Sequence, residues 1–283
     1  MKVVLELNKT VDENATAYFE KAKKSRKKIS GAKKTLEEFT KKTTRESEKI
    51  LESESKLTKL THSKAQWFEK FKWFISSDNY LIIAGRDATT NEVVIKKHTL
   101  PKDIVFHTDM AGSPFSIIKF ESSDISLIQE DLKVPKFNTI PETTLLETAT
   151  FTLVHAKAWK LGLGGASVFW ITPEQVSKEA NSGEFMGKGS FMIRGKTNHI
   201  IPEMNYAIGL IGNFVMGAPL TAVQKHCKTI IEIVQGNEKS SVVAKKIKAT
   251  FREKEGIDVA VDDIIKVLPA GGCDIKKERI RKY

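Results

Sequence analysis

From Thr10 to Ser63 the chain holds no proline and a single glycine, Gly31, and its apolar residues are sparse and periodic. Ala17, Phe19, Ala22, Ile29, Ala32, Leu36, Phe39, Ile50, Leu57 and Leu60 recur at spacings of three, four and seven within a dense background of Lys, Glu, Ser and Thr. That period marks a narrow helical seam. It predicts a coiled-coil hairpin of two antiparallel helices over residues 1–63, opened by Asp12 or Asn14 and turning somewhere in Thr40 to Ser47.

Over residues 64–283 the pattern changes. Tyr80 to Ala84, Val93 to Lys97, Ile104 to His107 and Phe115 to Lys119 are short β-rich runs, separated by polar stretches that carry Gly85 and Gly112-Ser113-Pro114. Runs of that composition and punctuation predict strands joined by turns. Pro141 opens a helical pattern reaching Trp159, with Leu145, Leu146, Ala149, Leu153 and Ala156 on one face. Gly162, Gly164 and Gly165 end it and lead into a strand at Ser167 to Ile171. Further strands are expected at Ser190 to Arg194, Tyr206 to Leu210, Asn213 to Met216 and Thr229 to Val234, with helices at Ser241 to Lys254 and Val261 to Leu268. Many strands follow one another with few helices between them, so the expected class is α+β with a mixed, largely antiparallel sheet and flanking helices.

Charge changes the picture more than overall composition does. The formal net charge is +11, which favours a polyanionic partner through long-range attraction and counterion release. Lys21, Lys23, Lys24, Arg26, Lys27, Lys28, Lys33 and Lys34 crowd one interval in which Glu20 is the sole nearby acid. Cations so closely spaced cannot all pair with carboxylates, which makes Lys24, Lys27 and Lys28 candidates for an RNA backbone; a solvated helix face is the plain alternative. Cys227 and Cys273 are the only cysteines, far apart and without metal-ligand spacing. They fit a reducing compartment and argue against a zinc module or a disulfide framework. No run approaches the roughly 20 apolar residues of a membrane span, so a cytoplasmic protein with no membrane partner is expected.

Two segments interleave aromatics with cations: WFEKFKWFISSDNYLIIAGRD from Trp67 to Asp87, and GEFMGKGSFMIRGKTN from Gly183 to Asn198. Cations attract phosphate, and aromatic faces stack on unpaired bases. Most of Trp67, Phe68, Phe71, Trp73 and Phe74 are assigned to the core by their bulk, leaving an edge ring for RNA. Arg194, Lys196 and Asn198 alternate, so a strand would set all three on one side, with Lys178 and Lys188 extending the patch. Arg86 and Asp87 suggest a local ion pair that presents Arg86 to phosphate. His107 and Asp109 also alternate, inviting an acid/base or metal reading; without a third ligand nearby, a hydrogen-bonding pair is the simpler one. Neither a phosphate-binding loop nor a nucleophile elbow is present, and no cofactor or metal is expected.

WFEKFKWFISSDNYLIIAGRDATTNEVVIKKH, HTDMAGSPFSIIK and PEQVSKEANSGEFMGKGSFMIRGKTN resemble the C-terminal RNA-binding domain of the NFACT family, the RqcH-type ribosome quality-control factors, in its archaeal and eukaryotic branch. The basic stretch before them resembles the coiled-coil arm of that family. The resemblance implies binding to the large ribosomal subunit and to ribosomal RNA or tRNA on stalled nascent-chain complexes, in support of template-independent C-terminal tailing and without chemistry of its own. The family's extended N-terminal domain has no counterpart here, so the resemblance implies an excised fragment, a separately encoded half that works with an N-terminal NFACT half, or a reduced homologue with such a partner. Ala111 stands where family members often carry a histidine. Two other classes are a metal-dependent nucleic-acid-processing enzyme using His107 and Asp109, and a coiled-coil scaffold with incidental RNA contact.

Overall fold

A computed structural model describes residues 4–8, 10–55, 58–59, 65–121, 124–129, 132, 135, 139–179 and 187–281; of residues 43–55 and 58–59 it describes the backbone only. The chain divides into two units, Met1–Leu57 and Thr58–Tyr283.

The first unit is built on one helix, α1, Val11–Ser55. The expected hairpin is therefore corrected to a single uninterrupted helix. From residue 33 to residue 55 the sequence contains no Gly, Pro, Asn or Asp, the residues that supply turns, so nothing reverses the chain where the apolar pattern thins. The start is corrected as well. The Thr10 hydroxyl accepts from the Glu13 amide at 3.3 Å, and the Glu13 carboxylate accepts from the Thr10 amide at 2.7 Å, a reciprocal cap that begins the helix. Asn14 instead bonds the backbone of Glu6 in both directions. Phe19, Ile29, Leu36 and Phe39 are exposed. The side chain of Ile50, and Leu57 and Leu60, lie outside the described residues.

The second unit is α+β, as expected, and almost wholly antiparallel. One sheet orders the strands Lys72–Ile75, Leu81–Ala84, Ser116–Lys119, Ile104–Thr108, Val168–Ile171 and Asn198–Ile200. A second orders Phe214–Pro219, Tyr206–Ile211, Thr229–Gln235 and Cys273–Ile280. Between them runs α3, Glu142–Val154, which touches strands of both sheets. It is buried on more than the one face its leucines suggest: Thr144, Thr148 and Thr152 are buried, while Leu146 is exposed. Thr148 and Thr152 each donate to the carbonyl four residues back at 2.8 and 2.7 Å, whereas the Thr144 hydroxyl reaches Asp78 at 2.8 Å and the Ser76 hydroxyl at 3.1 Å. Buried Glu147 accepts from the Ser77 amide and the Thr221 hydroxyl, and burial holds its carboxyl above its ordinary range. Phe68, Phe71, Trp73 and Phe74 are buried, and half-buried Trp67 stacks on His98 at 4.7 Å.

The expected strand at Val93 to Lys97 is corrected: it lies inside helix α2, Ala88–His98. The decisive residue sits upstream. The Asp87 carboxylate accepts from the Thr90 amide at 2.8 Å and from its hydroxyl at 3.0 Å, an N-cap that starts a helix before the β-branched run is reached. Replacing Asp87 with Ala should cost about 1 kcal/mol of stability by chemical denaturation, and Asp87→Asn should retain most of it.

Candidate nucleic-acid interface

The turn from Gly85 to Ala88, the loop from Ala111 to Phe115 and the turn from Lys188 to Phe191 wall a cleft of about 450 Å³. Two close approaches hold the walls together. Asn91, on the first turns of α2, lays its amide across Gly85, where an added Cβ would meet Oδ1 at 1.9 Å. The same oxygen accepts from the Phe115 amide at 3.1 Å, and the Gly85 amide donates to the Phe115 carbonyl. Any side chain at position 85 would displace this brace. Gly189, at φ +79°, packs its α-carbon against Ala88, where a Cβ would come within 2.6 Å of backbone, and its amide donates to Glu92 at 3.2 Å.

Three cations, Lys72, Arg86 and Lys188, line the cleft against one carboxylate, Asp87. Arg86 forms no ion pair with Asp87, contrary to expectation, because Asp87 is occupied as the helix cap. The Arg86 Nη2 donates to the carbonyls of Glu69 and Phe71 at 3.0 and 2.9 Å, which fixes the guanidinium plane. Lys72, in the edge strand opposite Ala84, has no hydrogen-bond or acidic partner among the described residues. Burial, and then the nearby Arg86 charge, pull its ammonium down to about 8.

At the C-cap of α3, His155 also lines the cleft. Tyr206 donates its hydroxyl to the Val267 carbonyl at 2.8 Å, so its oxygen accepts from His155 Nε2, 3.2 Å away. That network assigns the proton to Nε2 and leaves Nδ1 a buried acceptor with no partner among the described residues. Burial, reinforced by Lys72 and Arg86, holds His155 neutral. His107 is half-buried, and burial lowers it to about 4 despite Asp109. Its ring stacks on Phe115 with centroids 4.1 Å apart, and Phe191 meets Phe115 edge-on at 5.3 Å. The expected His107–Asp109 hydrogen-bonding pair is not formed; Asp109 is exposed and outside the cleft lining. Among the described residues no group of three or more His, Cys, Asp or Glu is arranged to hold a metal.

The remaining candidates separate. Lys178 is occupied internally: its Nζ meets Glu92 at 2.7 Å, the carbonyls of Gly187 and Ser190, and the Phe191 ring. Arg194, Lys196 and Asn198 do not share a strand. Met192–Ile193 pairs with Val176–Ser177, and Asn198–Ile200 belongs to the large sheet. Between them Gly195, at φ +84°, makes a turn. Gln175 braces it, donating to the carbonyls of Arg194 and Lys196 at 2.9 Å each. The Arg194 and Lys196 side chains are exposed and without an ion pair among the described residues, whereas Asn198 is half-buried beneath the Trp170 carbonyl. Lys24, Lys27 and Lys28 are exposed on α1, in the other unit. Lys72 and His155 do not stand out in the sequence as site residues. For Lys72 a signal is present, a cation set directly between Phe71 and Trp73.

Residues 70–195 match the family model of the NFACT protein RNA binding domain. Over 227 residues the chain is 38% identical to the archaeal Rqc2 homolog aRqcH of Methanocaldococcus jannaschii, covering 78% of this chain and 31% of that protein. It is 38% identical over 194 residues to the ribosome quality control complex subunit NEMF of Homo sapiens, covering 67% of this chain and 16% of that protein. The Drosophila melanogaster homolog of that subunit matches at 37% over 201 residues, 70% of this chain and 18% of that protein. The chain thus spans about a third or less of the length of these curated relatives.

Lys72 gives a stability test. Its folded-state value near 8 lies below the ordinary 10.5, so between those values the unfolded chain binds more protons and stability rises with pH. Lys72→Met should therefore stabilise the fold at pH 7 by about 1 kcal/mol, allowing for partial solvation of the ammonium. That advantage should shrink from pH 8 upward in denaturation experiments on the two proteins.

Proposed function

Because the chain belongs to the NFACT family, we propose that its sheet unit is an RNA-binding module of a ribosome quality-control factor, working in the cytoplasm on the large ribosomal subunit. One observation carries the reading most directly. The segment matching the RNA-binding family model is the one in which Lys72, Arg86, Lys188 and Arg194 form no ion pair among the described residues, with Asp87 acting on Arg86 and Lys188 only at longer range. Cations paired by carboxylates inside the fold cannot release counterions from a nucleic acid; these four can. Lys178 lends its charge to the fold and holds the turn that presents Lys188.

Arg194 and Lys196, on a braced turn, would meet backbone phosphate of ribosomal RNA or tRNA, and Arg86 would add a fixed fork of donors. Such contacts position RNA and do not read its sequence. Lys24, Lys27 and Lys28 on α1 add sequence-independent attraction. The chemistry of tailing would stay with the ribosome, and any part in it would draw on regions of the relatives outside the span matched here.

Salt-dependent binding to purified large subunits, tRNA and unrelated duplex RNA tests the proposal. Preferential subunit or tRNA binding is expected. An Arg194→Ala/Lys196→Ala double variant should weaken it and flatten the log–log salt slope by about 0.7 for each phosphate that is no longer neutralised. Equal binding to all three RNAs, unchanged in the variant, would refute the assignment.

A further inference from the structure

The cleft is too small for a helix of RNA. A volume of about 450 Å³ is that of a small-molecule pocket, and its lining is divided chemically. Lys72, Arg86 and Lys188 supply positive charge, with the single carboxylate, Asp87, already accepting from Thr90. The His107 and Phe115 rings, stacked at 4.1 Å, and Phe191, edge-on to Phe115 at 5.3 Å, supply aromatic surface. We propose that the cleft is a subsite for one unpaired nucleotide, whose phosphate is held by Lys72, Arg86 and Lys188 and whose base lies against the His107 and Phe191 rings.

Three features argue for an anion beside these cations. Lys72 is kept half-buried with no counter-ion among the described residues, an arrangement that costs stability unless a ligand supplies the charge. Arg86 is held in orientation by the carbonyls of Glu69 and Phe71, while its Nε and Nη1 make no hydrogen bond among the described residues. Little side-chain freedom is then lost when it binds. Lys188 sits on a turn fixed by the contact of Gly189 with Ala88 and by the Glu92 carboxylate, and its exposed ammonium reaches the cleft without rearrangement. The neutral His107 ring gives the aromatic part of the lining an uncharged stacking surface, suited to any base.

The inference rests on the RNA-binding reading but can fail separately from it. The phosphate could belong to an RNA chain or to a free nucleotide, and competition between the two distinguishes them. The full chain would be titrated with adenosine monophosphate, adenosine and a single-stranded oligoribonucleotide, following the ring resonances of His107 and His155 by NMR. Adenosine monophosphate is expected to shift both rings saturably and adenosine to do so far more weakly. Lys72→Met and Lys188→Ala should each weaken monophosphate binding about tenfold or more, the loss expected for a charge-assisted contact. The first variant should be no less stable than the parent, so its loss of binding could not be attributed to unfolding.

Displacement of the monophosphate by single-stranded RNA, but not by duplex, supports an RNA nucleotide as the occupant. Monophosphate binding that RNA does not displace supports the phosphate pocket and assigns it to a free nucleotide. RNA binding that leaves both histidines unshifted, or monophosphate binding indifferent to both substitutions, overturns the cleft assignment while leaving the RNA-binding reading intact. Absence of RNA binding with an intact monophosphate site overturns that reading and retains the cleft.

Discussion

A helix enclosed on most of its surface must satisfy its polar groups without water, and α3 imposes that condition on the whole sheet unit. Its Thr148 and Thr152 hydroxyls turn back to the helix carbonyls, and Thr152 also reaches the Ser116 hydroxyl of a central strand at 2.8 Å. Glu147 draws in the Ser77 amide and Thr221, tying the turn between the first two strands to the short helix Leu220–His226. His155, at the end of the same helix, is locked to Tyr206 and through it to the Val267 carbonyl. The floor of the cleft is thus registered to both sheets, and its geometry follows from packing.

The walls follow a different logic. They are turns, and turns hold position only when something fixes them from outside. Asn91 does so for the loop 113–115 and for Gly85, and Gln175 does so for the turn at 194–196. Glu92 does so for the turn at 187–190, holding Lys178 on one oxygen atom and accepting the Gly189 amide on the same atom. Each brace is a neutral amide or an acid already neutralised. Cations at the rim are therefore left unpaired while the backbone that carries them is rigid.

Much of the fold was legible because its strands are apolar, short and punctuated. The strands Leu81–Ala84, Ile104–Thr108, Ser116–Lys119, Val168–Ile171 and Thr229–Gln235 fall where pattern places them. Val93, Val94 and Ile95 misled because β-branched residues mimic a strand, while the cap that overrides them lies six residues earlier at Asp87. The hairpin misled for a related reason: thinning of an apolar stripe resembles a turn, yet a chain reverses only where turn residues allow it. The site was half legible. Arg86, Lys188 and His107 stood out by type, and the cleft brings them together. Lys72 and His155 come together only through the sheet, 83 positions apart in sequence. Lys178 looked free because its acid, Glu92, is equally remote.

In the first unit, charge acts at longer range than packing. Successive residues on a helix are 100° apart, so the cations at 21, 23, 24, 26, 27 and 28 fan over roughly 220° around the axis of α1, all exposed. A rod of 45 residues is about 68 Å long, and over this stretch a broad cationic face leaves one neutral side to Ala22, Ser25 and Ile29. Charge fanned so widely selects an orientation only coarsely, but it lowers the barrier to a first encounter from most angles, and it can let go as readily as it catches. Such a helix is suited to raising the frequency of collisions with a polyanion and leaving discrimination to a surface whose cations have fixed directions.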